Sequence, residues 1–100
     1  MAREIIWTNA AWEDVEGIAE HIARDSKHYA AAIVLEARDA SRSLAEMAER
    51  GRKVPEFGDR HIRQLLLGSY RLIYRVQPKT VHILAFIHGA RDLQKAWRRK

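Results

Sequence analysis

The chain has 100 residues, with 18 Lys/Arg, 13 Asp/Glu, no Cys and a formal net charge of +5, which describes a single domain (1–100) whose core buries only about two thirds of the unfolded chain's surface. The lack of cysteine excludes a disulfide scaffold or a Cys-based zinc site and suits a reducing, cytoplasmic setting. No run reaches the roughly 20 apolar residues of a membrane span, and MAREIIW lacks the apolar stretch of a signal peptide.

The charge is unevenly divided. Residues 1–50 carry 6 Lys/Arg against 10 Asp/Glu, a net of −4, and residues 51–100 carry 12 against 3, a net of +9. A marginal core beside a strongly basic half points to a partner that is a polyanion or an acidic protein surface.

In chain order, the apolar segment 3–7 (Ile5, Ile6, Trp7) reads as an edge strand. Thr8 or Asn9 can cap a first helix, with Glu13 and Asp14 near the positive end of its dipole. Ala11, Val15, Ile18 and Ile22 lie on one helical face, and this helix is expected to end around Asp25-Ser26. A second helix is expected over 28–50, with Ile33, Ala37, Ala40, Leu44 and Met47 as its stripe and Gly51 as a left-handed terminator. The short link between the helices implies an antiparallel hairpin. Pro55 and Gly58 keep the next segment irregular. From Ile62 the apolar period changes from 3.6 to 2, giving strands Ile62–Leu67, Tyr70–Val76 and 81–88, with turns at Gly68-Ser69 and 77–80. The expected fold is α+β: an N-terminal strand, an antiparallel helical hairpin, then a three-stranded antiparallel sheet packed on it, and a short C-terminal tail or helix after Gly89.

If Val76 pairs with Val81, Arg75 stands opposite His82, Ile73 opposite Leu84 and Arg71 opposite Phe86. Tyr70, Leu72, Tyr74, Val76, Val81, Ile83, Ala85 and Ile87 then pack on the helices. The other face carries Arg71, Ile73, Arg75, His82, Leu84, Phe86 and His88, too mixed to be core and therefore the candidate working surface. Arg71 and Arg75, about 13 Å apart along the strand, can grip successive phosphates or an acidic partner through their planar forks, with Arg91 swung towards them. The same arginines can instead pair with Glu56, Asp59 or Asp92. The register of 62–67 leaves the direction of Arg63 open.

His21 and His28 fall on helical surfaces at a spacing unsuited to a metal pair, and His82 and His88 have no third ligand beside them, so no metal and no cofactor is expected. His61 and His88 can act as proton donor or acceptor, or serve as plain hydrogen-bonded strand residues. Trp97, beside Arg98, Arg99 and Lys100, can stack on a base or anchor the tail on the core.

The order of elements, with GRKVPE, YRLIYRV and HGARDL, resembles the RelE/ParE superfamily of bacterial type II toxins over residues 7–93. The resemblance implies two alternatives. ParE-like members inhibit DNA gyrase without nuclease chemistry, and GRKVPE and HGARDL look closer to them. The target contacts would then be Arg63, Arg71, Arg75, Arg91, Trp97, Arg98 and Arg99. RelE-like members cut ribosome-associated mRNA without metal, and Arg71, Arg91 and His88 would then be catalytic, the arginines stabilising the phosphorane-like charge. The lysine pair such nucleases carry on the strand before YRLIYRV is not matched, and the late tyrosine falls near Trp97, which cannot transfer a proton. The resemblance further implies a cognate antitoxin, ParD-like or RelB-like, in a hetero-oligomer. Such an antitoxin covers the helical hairpin and a sheet edge, with Val15, Ile18, Ile22 and Ile33 as its candidate contacts.

Overall fold

The computed structural model describes residues 2–91 and Leu93, running β1 (Glu4–Trp7), α1 (Asn9–Ala23), α2 (Lys27–Ser43), β2 (Arg52–Lys53), β3 (Ile62–Leu67), β4 (Tyr70–Val76) and β5 (Thr80–His88). The three antiparallel strands expected from the sequence are extended by one strand on each side, giving a five-stranded sheet of order β1-β5-β4-β3-β2. β1 pairs parallel to β5, with Trp7 opposite Ile83, and the two-residue β2 pairs antiparallel to β3. No helix among the described residues is long and apolar enough to cross a membrane.

Thr8 fastens the first helix to the sheet. Its hydroxyl accepts the Ala11 N–H as the N-cap and donates to the Ile83 carbonyl, 2.8 Å away. Ser26 caps α2 in the same way, accepting the Tyr29 N–H. The second helix stops at Ser43, seven residues short of the expected end. The Ser41 and Ser43 hydroxyls donate to the carbonyls of Arg38 and Ala40, and Leu44 N–H turns back to Ser41, so side-chain bonding competes with the helical ladder there. Leu44 is still buried, but Met47, past the helix, is 57 % exposed instead of joining the stripe.

Gly51 is therefore not a helix terminator. Gly68, in the tight β3–β4 turn, is the one residue of positive φ among those described, at 60°. What demands glycine at 51 is closeness: a Cβ there would meet the Tyr74 hydroxyl and the Gln64 carbonyl oxygen.

The register of β4 on β5 departs from the expectation halfway along. Val76 pairs with Val81 and Arg75 with His82 as anticipated, but Leu84 is an extra residue, so Ile73 pairs with Ala85 and Arg71 with Ile87. The bulge exchanges the faces of the outer half of β5. Phe86 joins the core under the helices, with Val15, Leu44, Leu72, Tyr74, Val81 and Ile83. Ala85 and Ile87 move to the opposite face, where they pack with Val54, Ile62, Ile73 and Leu93 in a second, smaller core. The face expected to be open is thus partly covered by the irregular segment 54–59, with Phe57 against it.

Candidate functional site

On this outer face Arg71 is only 7 % exposed. Its guanidinium makes a forked pair with Glu56, NH1 and NH2 each 2.9 Å from a carboxylate oxygen, and Nε donates to Gln64 Oε1 at 2.6 Å. The Arg71 hydrogen bonds hold the Glu56 carboxyl below its ordinary value, against a smaller opposing effect of burial. Arg75 donates to Asp59 at 2.8 Å. Asp59 is held low first by the His61 N–H it accepts and then by Arg75. Both strand arginines thus pin the 54–59 segment to the sheet.

β3 places Ile62 and Gln64, both buried, on the Arg71 face. Arg63 points the other way, donating to the Gly51 carbonyl at 2.8 Å. His82 stays with Arg75, and its Nδ1 is buried without a hydrogen-bond partner among the described residues. His88 does not share the face of Arg71 as expected. The bulge sets it opposite Tyr70, ring to ring at 5.5 Å, and it lines a hollow against α1 with Arg91, Asp14 and Gly17. The set Arg71, Arg91 and His88 is therefore not brought together around one point. Arg91 is exposed. Trp97, Arg98 and Arg99 lie outside the described residues.

Asp14, read from sequence as a helix-dipole partner, has another task. It is buried, and its Oδ2 accepts the Phe86 N–H at 3.0 Å, beyond the point where β1 stops pairing with β5. The signal was present in the sequence: a carboxylate at 14 sits within the i, i+3, i+4, i+7 stripe Ala11, Asp14, Val15, Ile18, where an apolar residue belongs.

Of the hairpin residues, Val15 is 2 % exposed and faces the sheet, which removes it from any contact surface. Ile18 is half-buried beside the Asp14 hollow. Ile22 and Ile33 line an apolar groove between the helices with Tyr29 and Tyr70. Tyr29, which periodicity did not single out, is 69 % exposed. Among the described residues no group of three His, Asp or Glu is placed to hold a metal ion.

Residues 5–93 match the family described as the ParE toxin of the type II toxin-antitoxin system parDE. A relative named Toxin RelE2, from Caulobacter vibrioides, is 33% identical over 89 residues, spanning 88% of this chain and 97% of its own. Two solved structures share the fold. The chromosomal ParDE system of P. aeruginosa superposes with a TM-score of 0.71 at 22% identity, covering 87% of this chain and 96% of that one. The RelBE2 toxin-antitoxin complex of Mycobacterium tuberculosis gives 0.60 at 23% identity, covering 88% and 99%. With residues 5–93, nearly the whole chain, matched by the family, this protein belongs to the ParE toxin family of type II toxin-antitoxin systems.

Proposed function

We propose that the chain is a ParE-like toxin that arrests growth by binding DNA gyrase, and that a cognate antitoxin neutralises it. The observation that carries this reading is the state of Arg71. A nuclease would need that guanidinium free to meet a developing phosphorane charge, yet its forked donors are taken by Glu56 and its Nε by Gln64. The neighbouring positions on that face hold Ile62 and Gln64 in place of cations, and His88 stands on the other side of the sheet. Arg71 and Arg75 then act by shaping the surface, while Arg91 and the tail residues Trp97, Arg98 and Arg99 are the proposed gyrase contacts.

The second reading, a RelE-like metal-independent mRNA endoribonuclease, has the 33% identity to Toxin RelE2 on its side. The two separate in one assay. Purified chain is expected to block gyrase supercoiling of relaxed plasmid, with relief on adding antitoxin. Unimpaired supercoiling by a folded, toxic chain, together with cut ribosome-associated transcripts, would move the function to RNA.

The antitoxin is proposed to lay an amphipathic segment in the groove lined by Ile22, Tyr29, Ile33 and Tyr70. Tyr29→Ala truncates an exposed anchor without opening the core. It is expected to weaken antitoxin binding roughly 30-fold while leaving gyrase inhibition by the free toxin unchanged. Equal antitoxin affinity for both forms, measured by titration calorimetry, would place the segment elsewhere.

A further inference from the structure

The end of the molecule beyond the last turn of α2 carries a second basic surface that the outer face does not include. Three hollows adjoin there, a central one meeting the second at Glu49 and the third at His61 and Val76, and together they present Arg3, Arg50, Lys53, Arg60 and Arg63. With the Arg75–Asp59 pair set aside, the carboxylates facing these five cations are Glu46 and Glu49, and neither forms an ion pair among the described residues.

Three of the arginines are held in place by neutral acceptors. Arg3 Nε donates to the Gln77 carbonyl at 2.8 Å, Arg50 NH1 to Ser43 Oγ at 2.6 Å, and Arg63 NH1 to the Gly51 carbonyl at 2.8 Å. Each guanidinium is therefore oriented without a carboxylate paired to it, and it has further N–H donors besides the one engaged. The side chains of Lys53 and Arg60 are exposed and make no hydrogen bond or ion pair among the described residues. This differs from Arg71 and Arg75, whose charges are met by carboxylates.

We propose that this end binds the phosphate backbone of a nucleic-acid duplex. Five cations spread over adjoining hollows, three of them held in place, suit a row of phosphates, which supplies affinity without any apolar anchor. A single strand is the poorer fit, since it is held by stacking on aromatic rings and no Trp, Tyr or Phe among the described residues lines the three hollows. An acidic protein segment is also a poorer fit, because protein interfaces draw on a buried apolar centre: Met47 is the one exposed large apolar side chain among the described residues lining these hollows, and the continuous apolar groove lies between the helices. The inference goes beyond gyrase binding and does not rest on it.

The test is a fluorescence-anisotropy titration of the full chain with a short mixed-sequence DNA duplex, in the absence of gyrase. Binding should weaken steeply between roughly 50 and 200 mM salt. Lys53→Glu/Arg60→Glu should raise Kd at least about tenfold and lower the slope of log K against log salt by about 2. The matched reversal Arg24→Glu/Lys27→Glu, at the opposite end of the hairpin where Lys27 opens α2, should change Kd less than about twofold, and thermal melts of both variants check the fold. A matching RNA duplex tells which duplex is preferred, and dependence of either on Lys53 and Arg60 supports the site. No duplex binding, tighter binding of the single strand, equal competition by polyglutamate, or equal losses in the two charge-reversed variants would each overturn it.

Discussion

Gly51→Ala is expected to lower the unfolding free energy by about 3 kcal/mol, a fall in Tm on the order of 15 °C for a domain of this size. Tyr74 is fully buried in β4, and its hydroxyl accepts the Gly51 N–H at 3.0 Å while donating to the Ala48 carbonyl at 2.8 Å. Burial pushes the phenol above its ordinary value, which keeps the proton needed for that donation. The hydroxyl thus ties the turns after α2 to the middle of the sheet. A Cβ at position 51 would press on this oxygen and stand 2.6 Å from the Gln64 carbonyl, which belongs to a strand and cannot swing aside. Tyr74→Phe alone leaves a buried N–H and a carbonyl without partners and should cost about 1–3 kcal/mol. Because that change also removes one of the two clashes, the double variant should be less destabilised than the sum of the singles. Urea midpoints of the four proteins measure the cycle. A Gly51→Ala protein as stable as the parent would show that the close approach imposes no constraint.

The sequence made the local elements legible wherever one physical signal acted alone. The spacing of Ala11, Val15, Ile18 and Ile22 located α1, the period of 2 after Ile62 located β3 and β4 to the residue, and Gly68 marked their turn. What escaped was decided by competition or by distance. Whether Ser41 and Ser43 end a helix depends on where their hydroxyls turn, and an apolar stripe continuing to Met47 conceals it. A single extra residue at Leu84 leaves the alternation of β5 plausible on either side, yet it sends Phe86 and Ile87 to opposite faces. Glu56 and Asp59 could be named as partners of the arginines, but no local pattern shows that an irregular segment containing Val54 and Phe57 crosses a sheet face. The functional consequence is large. The two arginines that stood out most in the sequence are the two whose charges the fold has already met, while Arg50, Arg60 and Arg63, in segments that carried no clear motif, keep theirs.

The Arg71–Glu56 clamp yields the second large effect. Glu56→Gln leaves a guanidinium with 9 % side-chain exposure short of its counter-charge, and should cost about 2–3 kcal/mol, below the full loss for a buried pair because the Glu56 side chain keeps 31 % exposure. The sign with pH follows from the direction of the shift. The folded carboxyl lies below its ordinary 4.5, so its contribution is complete above that pH and is lost as pH falls through the folded value. Asp59, held below its ordinary 3.8, adds in the same sense. Stability of the parent should therefore decline from about pH 6 to about pH 2 more steeply than that of Glu56→Gln. Parallel curves in urea titrations across that range would refute the clamp. Replacing both partners by apolar side chains, Arg71→Met/Glu56→Leu, removes the charge and its counter-charge together and should restore most of the lost stability. That double variant also separates structure from contact. If it folds and still blocks supercoiling, Arg71 serves the toxin by fastening the 54–59 segment. If it folds and the inhibition disappears, the guanidinium must leave Glu56 to meet the target, and the clamp is then a latch on a site that opens.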